Sequence, residues 1–445
     1  MRIHLYPRSL IVLLLSMTIA YAVGQRTPIG AEQKETPAAS SEKPVPPEIN
    51  AAKVTPVKEI PTFVTKGIGW LVESQHSDGG WGGGSHASQN IKDHSRVQSD
   101  PATTAFTAMA LLRAGHTPTM GDFRDSVRKA TVFLVGVVEA ASADGPKITD
   151  MTNTQPQVKL GPLVDTSMTA QFLARVLTTL PPQGDLTKRV DQALDKCLAK
   201  LQKSQQQNGS WGNAGGWAPV LQSANACLAC ELAQAVGKKV DETVLERARN
   251  YQRGNFDAKS GKAKGGEAAG VELYAFSGAQ RAAAGQAKAA GDFIEKAKNE
   301  GKLDKDAPVT KENLEKVGVK KDQAEQLANA NAENVVQAKR LNDERLLAGF
   351  GNNGGEEFYS YLMTSESMVI AGGEPWTNWN SKLHDRLAKV QNSDGSWSGH
   401  HCITSPVFCT AAVVSCLTTD RDAQFLVRVA QAAGKQVAKT ETEKR

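Results

Sequence analysis

One seven-residue phrase occurs three times in the chain, and any fold proposed for it must use that phrase three times. The copies are Gln75-His-Ser-Asp-Gly79-Gly-Trp81, Gln205-Gln-Gln-Asn-Gly209-Ser-Trp211 and Gln391-Asn-Ser-Asp-Gly395-Ser-Trp397. Each holds Gln, Gly and Trp at one spacing, with Asp or Asn directly before the Gly. Three of the seven tryptophans in 445 residues stand at this one place, so the chain is read first as a repeat.

An amphipathic pattern precedes each phrase. Phe63, Ile68 and Leu71 lead to the first copy, Leu194, Cys197, Leu198 and Leu201 to the second, and Trp379, Leu383, Leu387 and Val390 to the third. Steps of three and four put these residues on one helical face. The Asp/Asn-Gly pair ends the helix, because Gly adopts the left-handed cap without strain. A second helix follows, richer in Ala, Thr, Ser and Cys, as in Asp100-Pro-Ala-Thr-Thr-Ala and Asp165-Thr-Ser-Met-Thr-Ala. Asp100 suits an N-cap and Pro101 a first helical position.

Weaker copies turn near Pro146, Phe256 and Phe350. The spacing therefore predicts an all-α domain over 59–433, built from six helix–turn–helix units. Their second helices begin near Asp100, Leu163, Leu221, Val271, Glu357 and Thr404. Residues 284–344 are rich in Ala, Lys, Glu, Asn and Gln and read as a polar helical insertion. Six hairpins can close into an α/α toroid; an open solenoid of helix pairs is the alternative.

The ends read differently. Arg2, Arg8, the apolar run from Leu10 and the small-x-small site Ala20-Tyr21-Ala22 make residues 1–22 a secretory signal peptide. Residues 23–58 form a Pro/Ala/Lys-rich linker that cannot bury enough apolar surface to order itself. Residues 434–445 are a charged tail. The expectation is an exported bacterial protein, periplasmic or extracellular, with no transmembrane segment in the mature chain. The net charge of +5 is too mild to imply nucleic acid as a partner. Six cysteines, Cys197, Cys227, Cys230, Cys402, Cys409 and Cys416, leave one or two bridges and buried free thiols equally open.

At the three Gln-x-x-x-Gly-x-Trp phrases the chain resembles the squalene cyclase and protein prenyltransferase superfamily, whose repeat, the QW motif, has this form on an α/α barrel. The resemblance covers roughly residues 60–430, less the insertion. It implies a structural brace at Gln75, Gly79, Trp81, Gln205, Gly209, Trp211, Gln391, Gly395 and Trp397. It does not carry the chemistry across. Squalene–hopene cyclases protonate an alkene with the central Asp of Asp-x-Asp-Asp-Thr-Ala. Here the first Asp and the Thr-Ala survive, but Ala102 and Thr103, or Ser167 and Met168, stand at the other carboxylate positions. Val407-Phe-Cys-Thr-Ala411 resembles the oxidosqualene variant without its Asp. Asn225-Ala-Cys227 resembles the prenyltransferase zinc motif with Asn in place of the carboxylate. The thioester run of the complement-like branch is absent, as are P-loop, dinucleotide, His-Glu-x-x-His and Gly-x-Ser-x-Gly motifs.

The remaining candidates for a cavity are Asp100, Asp165, Tyr274, Tyr359 and Glu366, with Tyr361 beside them. Carboxylates with tyrosines suit acid–base work on a terpenoid or a sugar; acids at a helix start also simply suit the helix dipole. His400-His401-Cys402 offers zinc-ligand types, but adjacent residues rarely chelate one ion; His76, His86 and His94 match no ligand pattern. No cofactor is expected. The leading expectation is a binding or scaffolding module that takes an unknown ligand in its central cavity or a protein partner. The alternative is an enzyme on the same fold, either a divergent terpenoid- or prenyl-acting one or a carbohydrate lyase or hydrolase.

Overall fold

A computed structural model describes residues 59–212 and 215–439. The signal peptide and linker expected at 1–22 and 23–58 lie outside the described residues, as do 440–445. In chain order the helices are α1 (Thr62–Glu73), α2 (Pro101–Arg113), α3 (Arg124–Ala140), α4 (Gln155–Leu160), α5 (Val164–Leu177), α6 (Asp185–Ser204), α7 (Pro219–Ala235) and α8 (Glu242–Arg253). There follow α9 (Glu272–Asn299), α10 (Lys311–Lys316), α11 (Lys321–Arg340), α12 (Glu344–Leu347), α13 (Gly355–Ala371), α14 (Gly373–Ala388), α15 (Pro406–Leu417) and α16 (Ala423–Lys439). A two-stranded hairpin, β1 (Phe256–Asp257) with β2 (Lys262–Ala263), stands before α9.

Helices α2, α5, α7, α9, α13 and α15 each pack on the next, and α15 packs back on α2. The six form a closed inner ring. Their starts, Pro101, Val164, Pro219, Glu272, Gly355 and Pro406, fall within two residues of the positions expected from the repeat. Helices α1, α3, α6, α8, α11 and α14 lie outside the ring. The architecture is an α/α toroid, not an open solenoid.

Composition explains the two layers. In α6 the buried residues Val190, Leu194, Cys197, Leu198 and Leu201 make one stripe, as expected of an outer helix with a wet face. In α2 every residue but Leu112 is buried, and in α13 every residue but Ala371. Such all-round burial suits small residues, and their hydroxyls bond back into their own helix. Ser365 donates to Tyr361 O at 2.8 Å and Ser367 to Met363 O at 3.0 Å.

The repeated phrase ties three helices at each copy. Trp81 Nε1 donates to Leu71 O at 2.7 Å, Trp211 Nε1 to Leu201 O at 2.8 Å and Trp397 Nε1 to Leu387 O at 2.8 Å. The same tryptophans' backbone N–H groups donate to Thr104, Ser223 and Thr410 on the inner helices, each at 2.9 Å. Gln75, Gln205 and Gln391 donate to the carbonyls of Gly79, Gly209 and Gly395 within their own turns. Each Gln also reaches the next outer helix, at Ser126 O, Val244 O and Phe63 O. The glycines have φ of 89°, 89° and 93°, where a side chain would be strained.

Residues 284–344 differ from the insertion expected of them. Helix α9 runs unbroken past Ala284, and α11 returns along it as the fifth outer helix. Ala324 and Leu327 are buried there in one cluster with Ala290, Ile294 and Leu314, and Ala330 is buried too. Small alanines let the backbones approach without the large apolar residues that mark the other outer helices. The tail also begins later than expected, since α16 continues through 434–439; helix propagation past its packed face is easy once nucleated.

Both ends of the ring are covered. Helix α4 lies across the end where the inner helices begin. Gln155 Oε1 accepts from Thr404 N at 2.7 Å and Ser405 N at 3.2 Å, and Lys159 O accepts from Ala218 N. Helix α16 covers the opposite end against α7, α9 and α13, with Leu426 and Ala430 buried beside Ala284 and Ile370. Among the described residues no helix is long and apolar enough to cross a membrane. All six cysteines are free thiols, with Cys402 alone less than fully buried.

Candidate functional site

The bore of the ring is filled in layers. At the end where the inner helices begin stand buried acids. Asp100 caps α2 by accepting from Thr103 N at 2.8 Å and also accepts from Gly83 N at 2.6 Å. Asp165, in the first turn of α5, accepts from Ala102 N at 3.0 Å and from Gln157 Nε2 at 2.6 Å. The sequence candidates Asp100 and Asp165 are thus neighbours. Burial, then the Asp100 charge, pushes Asp165 up to about 7, and burial raises Asp100 as well. Glu356 accepts from Ile403 N at 3.2 Å and is pushed up to about 8 by burial and by Glu357.

Glu357 is the centre of a second group at this end. Its Oε1 accepts from Tyr274 OH at 2.6 Å and Phe350 N at 2.9 Å, and its Oε2 faces His401 Nε2 at 3.6 Å. Tyr274 therefore does not join Tyr359 and Glu366 in the bore; burial and the Glu357 carboxylate raise its hydroxyl pKa. The glycines of the 349–355 loop fit around this pair. A Cβ at Gly354 would come within 2.6 Å of the His401 ring, and one at Gly349 within 2.6 Å of Glu357. His400 is exposed, His401 faces Glu357, and Cys402 sits at φ 58° with its thiol pushed up to about 12 by burial and Glu356. Among the described residues no three His, Cys, Asp or Glu side chains gather as ligands for a metal ion.

The middle layer is aromatic and amide. Phe106 packs on Phe408 and Tyr359 with ring centres 4.8 and 5.8 Å apart. Tyr359 OH donates to Asn225 Oδ1 at 2.7 Å, and Gln171 Nε2 donates to the same oxygen at 3.1 Å. Asn225 is the residue that replaces the zinc-motif carboxylate, and here it holds a tyrosine. Tyr361 points away from the bore, bonding Leu347 O and meeting the Trp379 ring.

Below this lies a buried ion network. Glu366 pairs with Arg113, with Arg281 Nε at 3.1 Å and with Arg175 Nη2 at 3.4 Å. Arg113 and Arg175 continue to Asp422; Arg281 continues to Glu231, which also takes Arg249 at 2.8 Å. The network joins α2, α5, α7, α8, α9 and α13. Burial alone would raise the Glu366 pKa, but Arg113, Arg281 and Arg175 overcome it and hold the carboxyl at about 2. Glu366 is therefore an anion at neutral pH and no proton donor. Arg113 and Arg175 also stand in the last turns of α2 and α5, where the helix dipole favours cations. Between Phe106, Met109, Tyr359, Glu366 and Ser415 a cavity of about 10 Å³ remains, room for about one water.

Of the sequence candidates, the structure unites Asp100 with Asp165 at one end and Tyr359 with Glu366 in the bore, and it separates Tyr274 from both. Sequence reading missed Arg113, Arg175, Arg281 and Glu231. For Arg113 and Arg175 the signal is a charged residue near the end of a helix whose other residues are small or apolar, as in Ala110-Leu-Leu-Arg113 and Leu173-Ala-Arg175; Arg281 and Glu231 are charges inside α9 and α7, among small residues.

The sequence model of the squalene–hopene cyclase C-terminal domain matches residues 49–136. The repeat is squalene-cyclase-like. Among solved structures the chain is similar to the type II terpene cyclase MstE from Scytonema without ligand. The identity is 12% over 82% of this chain and 98% of that one, with a TM-score of 0.43. A variant of that enzyme in complex with geranylgeranyl dihydroxybenzoate, its substrate, gives 12% over 83% and 97%, at 0.43. A variant with merosterolic acid A, its product, gives 13% over 82% and 96%, at 0.43. No curated protein matches the chain. The squalene-cyclase-like match spans α1, the first repeated phrase, α2 and most of α3, the part of the ring where the brace is first laid down.

Proposed function

We propose that this squalene-cyclase-like toroid is a binding or scaffolding module that does not cyclise terpenoids. The observation that carries the reading is the filled bore. A cavity of about 10 Å³ compares with roughly 300–1,000 Å³ for sites that enclose a small organic ligand. The acid in the bore, Glu366, is held ionised by three arginines, whereas alkene protonation needs a strong neutral acid. Two of the carboxylate positions of the cyclase motif are Ala102 and Thr103, and Asp100 is occupied as a helix cap. The working surface is then the rim, and no metal or cofactor is required. The protein acts outside the cytoplasm, following the basic, apolar and small-residue order of residues 1–22; a mature chain beginning near Val23 on N-terminal sequencing supports this, and an intact Met1 in the exported fraction refutes it.

Turnover decides the main point. The purified full chain is incubated with squalene and with geranylgeranyl dihydroxybenzoate, and extracts are analysed by gas chromatography with mass detection. Only unchanged substrate is expected. A cyclised product in either reaction overturns the reading.

The acids at the rim favour a second reading, an acid–base enzyme. Asp165 and Glu356, held up to about 7 and about 8, keep protons towards neutral pH, and Glu356 stands directly before Glu357 of the Glu357–His401 pair. That reading requires a substrate at the rim.

A further inference from the structure

Helix α4 carries a buried donor without a partner, Gln155 Nε2, and one turn along it an ammonium, Lys159. Gln155 and Lys159 stand one turn apart and so share a face. Gln155 Oε1 is spent on the first residues leading into α15, while its Nε2 is buried without a partner. Lys159 is 5% exposed as a residue, with its ammonium at the solvent-facing margin of α4. Its Nζ lies over the Trp217 ring, 4.1 Å from the ring centre. An indole face is a weak partner for an ammonium, and an oxyanion that accepts a charged hydrogen bond is a stronger one.

The acids nearby do not fill this role. Glu356 senses the Lys159 charge, yet burial and Glu357 keep it largely protonated at neutral pH. The Cys402 thiol is held protonated too. The two donors look towards one loop. Gln155 Nε2 lies 3.4 Å from where a Gly84 Cβ would stand, and the Lys159 charge is felt by His86. The site opens to solvent there, since His86 and Cys402 are half-buried and Trp217 is 54% exposed. The positive ends of the inner helices also face this rim.

We propose that Lys159 and Gln155 form a binding site for the oxyanion of a small molecule, a carboxylate or a phosphate, which takes the ammonium over from the Trp217 indole. A charged hydrogen bond from Lys159 and a second from Gln155 replace one cation–π contact. The ring moves aside or onto the body of the ligand. This rests on the reading of the rim as the working surface and names the chemistry it accepts.

The full chain is titrated with sodium acetate, sodium benzoate, inorganic phosphate and phenyl phosphate at constant ionic strength, following tryptophan fluorescence and heat. Saturable binding by the carboxylate pair or the phosphate pair is expected, and the pair that binds identifies the source of the oxyanion. Trp217→Phe removes most of the fluorescence change but keeps the heat. Lys159→Met weakens binding at least about tenfold, and Gln155→Leu weakens it about threefold or more, consistent with the loss of one charged and one neutral hydrogen bond. Absence of saturable binding by any of the four up to about 10 mM, a range in which even weak sites fill, overturns the proposal. So does unchanged affinity in a Lys159→Met protein with the wild-type urea midpoint. If Lys159→Met does not fold, unchanged affinity in Gln155→Leu has the same force. Failure here leaves the turnover result on the bore standing, so the two readings fail separately.

Discussion

The indole of Trp397 lies over Gly67, so close that a Cβ on that glycine would come within 2.6 Å of the ring. Trp397 belongs to the last repeated phrase and Gly67 to the first helix. Together with the bond from Gln391 to Phe63 O at 2.7 Å, this contact closes the ring. Gly67→Ala should therefore destabilise the protein by about 1–3 kcal/mol, as overpacking a tight contact does. Gly69, one residue pair along the same helix, has nothing within 4 Å of its missing Cβ. Gly69→Ala should stabilise by about 0.5–1 kcal/mol through backbone entropy. Urea midpoints of the two variants should move in opposite directions; equal shifts would show that Trp397 does not bear on Gly67.

Glu366 neutralises three arginines inside the ring. Glu366→Gln leaves Arg113, Arg175 and Arg281 without their shared anion and should cost about 3–5 kcal/mol. The pH response follows from the same pairing. The folded carboxyl titrates at about 2, below its unfolded value of 4.5. Its contribution is fully present above about 4.5 and is lost as pH falls through about 2. Acid unfolding curves of wild type and Glu366→Gln should therefore draw together from about pH 4.5 and converge only below about pH 2; curves that stay parallel to the lowest pH would rule out this role.

The acids at the opposite end behave with the reverse sign. Asp165 and Glu356 have folded values of about 7 and about 8, above unfolded values of 3.8 and 4.5. The native state keeps protons that the unfolded chain has released. Stability contributed by these groups is greatest in acid and falls as pH rises from about 4 to about 8. In Asp165→Asn that fall should be smaller by more than about 1 kcal/mol between pH 5 and pH 8. Chemical denaturation at the two pH values tests it, and an identical fall in both proteins would show that Asp165 is ionised when folded.

The ring was legible because its determinants are local. A Gly at φ near 90°, a Trp reaching back to its own helix and a Gln bracing the turn all lie within one phrase. Asp100 with Pro101 likewise announces the start of an inner helix. Three features were not legible. Helix α11 buries alanines, so its packed stripe lacks the large apolar residues that signal a face. Helix α4 is six residues long, too short for a period to show, and its role depends on Thr404 and Ser405 some 249 residues away. The ion network unites charges from six helices, and no spacing in the sequence links Arg113 to Glu366 across 253 residues.

The filled bore makes a prediction of its own. Phe106 stands where α2, α13 and α15 meet, against Tyr359 and Phe408. Phe106→Ala removes the ring and should cost about 3–5 kcal/mol, part of it for the cavity left behind. A hole lined by Phe408, Tyr359 and neighbouring methionines is largely apolar, and such a hole binds small apolar guests. Benzene should then raise the melting temperature of Phe106→Ala and leave the wild type unchanged, because the native space of about 10 Å³ admits no ring. The comparison tests the variant and the functional reading together. A benzene response in the variant alone means that Phe106 is what fills the bore. A comparable response in the wild type means that the bore already takes apolar guests, and the case against terpenoid chemistry then loses its main support.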